Sequence, residues 1–288
     1  MLTSNSIYTA NGVKMSKYIL TEARNNPNKI NLPPKRTKPL LKVTIHNTNN
    51  LENVNDDAEQ YTRATVNGNM GTVVPSSYVD DLGGWQLLED TQCNWTCADG
   101  SGPGNTQTIA IECIMSGKNT PEDQKAYDNA ARLAAWILHK NGLKEDDIVT
   151  HTYWLHVRDG HTSLAETDKI DYWCCAPHPY KLCPYYIIPT WLEFKKLVTK
   201  YYRALKGYPE EPEVKQEDKF PYQVKVVCDE LNVREKPGTS SKVVTTITKN
   251  YVYTIVEEQY VCDVPWGRLI SPGAGWISLL PKYVTKLG

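Results

Sequence analysis

Phenylalanine is nearly missing from this chain: two residues in 288, against 18 tyrosines and eight tryptophans. Its large aromatics therefore carry a polar tip, which suits carbohydrate or peptide clefts as well as cores. An excess of either charge is also absent. The net charge of −1 gives no reason to expect nucleic acid or an acidic membrane as a partner. No stretch is apolar enough to span a bilayer, so no membrane insertion is expected. The opening MLTSNSIYTANGVKMSKYIL has none of the continuous apolar character of a secretory signal. Synthesis in the cytoplasm is the expectation, and any action outside would need another agent to release the protein. Eight cysteines are spread without the dense spacing of a small disulfide scaffold. They are expected to be mostly free, buried thiols, apart from any recruited by a metal.

A chain of 288 residues can bury a substantial core and form more than one domain. Up to about Leu41 it reads as irregular and polar, with Pro33-Pro34 excluding helix. LKVTIHNTNN then carries a strand pattern in Val43 and Ile45 and halts at His46 on a turn-favouring run. DDAEQYTRATVNG reads as a helix capped by Asp56 or Asn55 and stopped at Gly68. GTVVPSSYVDD is a broken strand, followed by a Gly83-Gly84 turn and the short strand WQLL. The loop TQCNWTCADGSGPGN is long and irregular, a common mark of function. TIAIECIM is an apolar strand broken only by Glu112, a carboxylate that must either face solvent or find a partner.

PEDQKAYDNAARLAAWILHKNGL is the clearest helix. Pro121 and two acids open it, Ala126, Ala130, Leu133, Ala134 and Ile137 make one stripe, and Asn141-Gly142 closes it. His139 in its last turn reads as structural. DIVTHTYW predicts a second strand ending in a histidine, His151. A long irregular stretch follows with His156, His161, Cys174, Cys175, His178, Lys181 and Cys183, the first two histidines read as surface loop. IIPTWLEFKKLVTKYYRALKG closes the region as a helix with Trp191, Phe194, Leu197 and Val198 on one face. GYPEEPEVKQEDK is a charged, proline-containing linker. Beyond it, short strands alternate with turn signals at Pro237-Gly238, Lys249-Asn250, Val264-Pro265 and Pro272-Gly273, which indicates a small all-β barrel or sandwich.

A histidine held where a strand meets a loop is rigid and can face a cleft, although a lone one is usually hydrogen-bonded structure. Two such imidazoles and a thiolate suffice for a three-ligand zinc site with an open fourth position. Such a site polarises a carbonyl and activates water. Spacing alone does not select among the cysteines and histidines present.

Residues about 38–200 resemble the zinc-dependent type-2 N-acetylmuramoyl-L-alanine amidases of phage endolysins and bacterial autolysins, relatives of the peptidoglycan recognition proteins. The matching pieces are VTIHNT, WTCADGSGPGNTQTIAIE, IVTHTYW and KLCP, in the family's order and with the helix 121–141 between them. The resemblance implies an α/β fold, a mixed central sheet flanked by helices. It implies a Zn2+ cofactor held by His46, His151 and Cys183, with Cys174, Cys175 and His178 as rivals for the third ligand. It also implies Glu112 as the general base and Lys181 as the group that stabilises the oxyanion. Where many relatives carry Trp-His-Ala, this chain has Trp95-Thr96-Cys97, and a tyrosine position of some relatives falls on Ser77, with Tyr78 next to it. Cys93 and Cys97 can form a local metal pair, but free thiols are the expectation.

Residues 220–286 resemble the bacterial SH3-like (SH3b) wall-binding domains through LNVREKPGTSSKVV, WGRLI and GWISLLPKYV. Tyr251, Tyr253 and Trp266 are read equally as barrel core or rim and as ligand contacts. The resulting expectation is a zinc amidase domain over 1–207, a linker over 208–219 and an SH3-like domain over 220–288. Its partner would be bacterial cell-wall peptidoglycan, cut between N-acetylmuramic acid and L-alanine after holin-dependent release. Two rivals remain: a papain-like wall endopeptidase with Cys183 as nucleophile, and a non-catalytic peptidoglycan binder.

Overall fold

The computed structural model describes residues 6–20, 32–48, 57–160, 182–208, 220–261, 264–270 and 275–287. Lys181, His161, Cys174, Cys175, His178 and most of the expected linker lie outside the described residues. The described chain up to Gly160 belongs to one compact unit, as does Leu192–Leu205, and the chain from Phe220 onward to another.

The first unit is built on a mixed sheet of seven strands: β1 (Ser6–Ala10), β2 (Val13–Lys17), β3 (Lys42–Asn47), β4 (Ser77–Val79), β5 (Gly84–Gln86), β6 (Thr108–Cys113) and β7 (Ile148–Thr150), in the order β1-β2-β5-β4-β6-β3-β7. The strands β4, β6, β3 and β7 run parallel to one another. Covered on both faces, β3 and β6 are buried along nearly their whole length, which is why their sequences read as apolar runs. The parallel order brings the carboxyl ends of β6, β3 and β7 side by side, the edge where open α/β sheets place their ligands.

Two departures from the sequence reading lie near the start of this unit. The lead-in is not irregular: β1 and β2 form an antiparallel hairpin whose Asn11 and Gly12 take φ values of 50° and 85°, as a tight primed turn requires. Its outer strand is half exposed at a sheet edge, so the hydrophobic signal is weak. The first helix, α1 (Ala58–Val66), is capped by Asp57, which accepts from Gln60 N at 2.7 Å, and not by Asp56 or Asn55. Asn67 is its C-cap, and the expected stop, Gly68, follows at a φ of 75°.

A short α2 (Pro103–Thr106) lies inside the Gly-rich loop, and α3 (Pro121–Lys140) matches the predicted helix. Thr120 caps α3, and burial extends beyond the predicted stripe to Ala131, Ala135 and Leu138. The extra burial has a cause. The closing helix, which follows α4 (His151–Arg158) and is labelled α5 (Trp191–Leu205), lies along α3, with the Tyr127 and Phe194 rings edge to face at 5.0 Å and Arg132 stacked on Tyr201. Buried alanines let the helix lie close to the sheet. His139 contacts the Tyr202 ring edge-on, a structural role.

The second unit is all β, with β8 (Tyr222–Val226), β9 (Glu230–Arg234), β10 (Val243–Thr248), β11 (Val252–Val261), β12 (Val264–Leu269), β13 (Trp276–Ser278) and β14 (Val284–Lys286) in the order β10-β9-β13-β12-β11-β8-β14. Val224, Val226, Leu231, Val233, Ile255 and Ile277 form its core. Val264-Pro265 opens β12 and is not a turn, which fits proline at a strand start. Trp266 is buried and belongs to the core, whereas Tyr251 is exposed. Among the described residues no helix is long and apolar enough to cross a membrane.

Candidate metal centre

In the β3–β6 register His46 stands opposite Glu112. Side chains in one such row share a face of the sheet, and His46 Nδ1 lies 3.8 Å from Glu112 Oε1. Glu112 therefore has a partner in the site rather than facing bulk water, with its side chain 14% exposed at the mouth. Tyr78 falls in the same row on β4, while Ser77 pairs with Ile111 and so faces the other way. The aromatic beside the site is thus Tyr78, and its hydroxyl ends on Thr65 Oγ1 at 2.9 Å. Burial, and then the neighbouring Glu112, push the Tyr78 phenol well above its ordinary range, so it stays neutral.

His151 corrects the strand-end prediction. The strand β7 stops at Thr150, whose hydroxyl accepts from Tyr153 N at 3.1 Å and caps α4 (His151–Arg158). A side chain that satisfies a free helical N–H starts the helix one residue earlier than a strand reading allows. His151 is then the first helical residue at the carboxyl edge of the sheet. His156 lies on the same helix and is buried, not on a surface loop.

His46, His151 and Cys183 converge. All three are buried, with ligand atoms within 4.8 Å of one another. The two imidazoles stand 4.8 Å apart between centroids, and Cys183 Sγ is 3.8 Å from His46 Nδ1. A tetrahedral zinc with ordinary bond lengths sets such nitrogen and sulfur atoms about 3.6 Å apart. Two imidazoles and one thiol at this spacing fit a zinc ion with one position open.

Sequence reasoning missed how Cys183 is held. Thr152 is fully buried, accepts from Cys183 N at 2.9 Å, and donates to Cys183 O through its own N at 3.1 Å. Asn47 Oδ1 accepts from Tyr186 N at 3.0 Å. Each histidine is followed directly by a polar residue that clamps the Cys183–Tyr186 segment. The pairs His46-Asn47 and His151-Thr152 were visible in the sequence, but not what they bind.

Gly117 supports the same segment. Its φ is +74°, and a Cβ there would meet the Tyr186 ring at 2.2 Å. Gly117→Ala should lower stability by about 2 kcal/mol and weaken zinc binding as Tyr186 is displaced. Urea unfolding with and without zinc checks this. A variant as stable as the parent, with the same zinc affinity, refutes it.

The loop before β6 also enters the site. Cys97 is fully buried, its Sγ 3.9 Å from His46 Nε2, and burial pushes its thiol far above the ordinary range. Cys93, by contrast, leans on Thr106 O at 3.8 Å. Among the described residues Cys93, Cys97, Cys113 and Cys228 are free thiols, and the cluster that can hold a metal comprises His46, His151 and Cys183.

Residues 36–171 match the family model described as N-acetylmuramoyl-L-alanine amidase, a span that includes His46, Glu112 and His151 and ends before Cys183. Residues 229–284 match the model described as bacterial SH3 domain. No curated protein matches the chain significantly. Solved structures similar to it include PlyL, 23% identical, covering 63% of this chain and 94% of that one at a TM-score of 0.48. The catalytic domain of XlyA is 24% identical, covering 64% and 98% at 0.48. A mutant endolysin from Bacillus subtilis is 24% identical, covering 65% and 99% at 0.49. The chain thus joins a domain of the N-acetylmuramoyl-L-alanine amidase family to a bacterial SH3 domain.

Proposed function

We propose that this protein is a zinc-dependent peptidoglycan hydrolase that cuts the amide between N-acetylmuramic acid and the L-alanine of the stem peptide, in the manner of a phage or prophage endolysin. The observation that carries the reading is the convergence of His46, His151 and Cys183 at the carboxyl edge of a sheet, with Glu112 beside them. The amidase family match supplies the substrate class.

His46, His151 and Cys183 would hold zinc, which when bound supplies a Lewis acid for the amide carbonyl and lowers the pKa of water. Glu112 accepts the proton of the attacking water and returns it to the departing alanine nitrogen. Its Oε1 lies 3.8 Å from His46 Nδ1, which supports giving it that role. Lys181, two residues before the ligand cysteine, is proposed to stabilise the oxyanion charge as it develops. The catalytic domain is taken as 1–207, the linker as 208–219 and the SH3-like domain as 220–288. The last would hold the enzyme on the wall and raise its local concentration there.

Purified wall incubated with the zinc-loaded protein should release soluble peptide with a new α-amine on L-alanine and no new reducing sugar. A chelator should stop the release and added zinc restore it. Undiminished cleavage without metal, blocked by a thiol alkylator, would instead identify a cysteine peptidase. Zinc binding without cleavage would identify a binder.

A further inference from the structure

We propose that Cys97 is a positioning residue for the metal centre: its sulfur accepts a hydrogen bond from His46 Nε2–H and so aims Nδ1 at the metal. The inference rests on the reading of His46 as a zinc ligand. The two ring nitrogens of His46 face different groups. Nδ1 lies 3.8 Å from both Cys183 Sγ and Glu112 Oε1, on the side of the cluster. Nε2 lies 3.9 Å from Cys97 Sγ on the far side. A neutral imidazole that gives one nitrogen to a metal carries its proton on the other. That proton needs an acceptor, and the acceptor fixes both tautomer and ring orientation. Here a thiol sulfur is in reach.

The loop is built to bring that sulfur in. Asn105 Oδ1 accepts from Thr96 N at 3.0 Å and from Cys97 N at 2.8 Å, which pins the backbone of the Trp95-Thr96-Cys97 turn. Gly104 makes the room: a Cβ there would stand 2.7 Å from Cys97 Cβ and from Trp154 Cγ. Thr96 Oγ1, 3.5 Å from the sulfur, can take the thiol proton. The sulfur is then free to accept from the imidazole.

The test uses the full-length zinc protein and two variants. Cys97→Val removes the acceptor and adds one methyl group, while Cys97→Ser keeps an acceptor on a shorter arm. Chelator competition should show zinc affinity about ten- to a hundredfold weaker in Cys97→Val, with Cys97→Ser between it and the parent. The cobalt-substituted variants should shift their visible absorption in the same order. Nitrogen NMR of the zinc-loaded parent should show His46 protonated at Nε2 and metal-bound at Nδ1, a result that needs no variant to fold. Cys97→Val with parental affinity and spectrum, or a metal-bound Nε2, overturns the proposal. A parent that binds no zinc overturns the reading beneath it and the proposal together.

Discussion

Glu112→Gln should lower kcat on purified wall by about a hundred- to ten-thousandfold, the usual contribution of a positioned proton-transfer group, while zinc content stays at the parental level. The amide is nearly isosteric with the carboxylate, so β6 keeps its packing between β3 and β4. The row Tyr78–Glu112–His46 stays in register. What is lost is the capacity to accept a proton from water and pass it to the leaving nitrogen. KM should change little, because the group acts on charge that moves only during reaction. Kinetics beside metal analysis separate the outcomes. A variant that keeps full activity removes Glu112 from the chemistry. A variant that loses zinc shows that the carboxylate holds the metal site together instead of moving protons.

The legible and illegible parts of this fold divide along physical lines. Sustained periodicity was enough for α3: an apolar stripe on a 20-residue helix, a proline start and an Asn-Gly stop all agree. The buried strands β3 and β6 declared themselves as apolar runs, and the single charge in β6 pointed at the site. The hairpin β1–β2 did not, although Asn11-Gly12 is a strong turn signal. Its strands are short, one is an edge, and few of its side chains reach the core. The end of β7 was misplaced because a threonine cap is a local side-chain event that strand patterning does not register. The metal cluster was drawn from residue types and resemblance, and the fold brings those residues together. The clamps by Asn47 and Thr152 and the approach of Cys97 to His46 were unreadable for a simpler reason. Each joins positions 31 to 139 residues apart, and at least one partner in each pair lies outside the strands, where patterning gives no placement.

Cys183→Ser should abolish zinc binding at ordinary metal concentrations and with it all measurable wall cleavage. A serine hydroxyl is not ionised near neutral pH, and it replaces a soft thiolate donor by a weak neutral one. Two histidines alone leave the metal with half a tetrahedral set. Folding should survive, because the backbone of residue 183, not its side chain, makes the bonds to Thr152. The apo variant should therefore unfold close to the apo parent. The zinc-loaded parent alone should gain stability, about 4 kcal/mol when free zinc exceeds Kd a thousandfold. Thermal unfolding with and without zinc reads this directly. Loss of activity by itself would not decide the matter, since a nucleophilic cysteine would also be lost in this variant. Metal content decides it. If Cys183→Ser loses cleavage yet keeps zinc and its thermal shift, Cys183 is a nucleophile beside a metal held by other groups. If zinc, thermal shift and cleavage vanish together, the sulfur is the third ligand, and the two residues that clamp its backbone are what keep it within reach of His46.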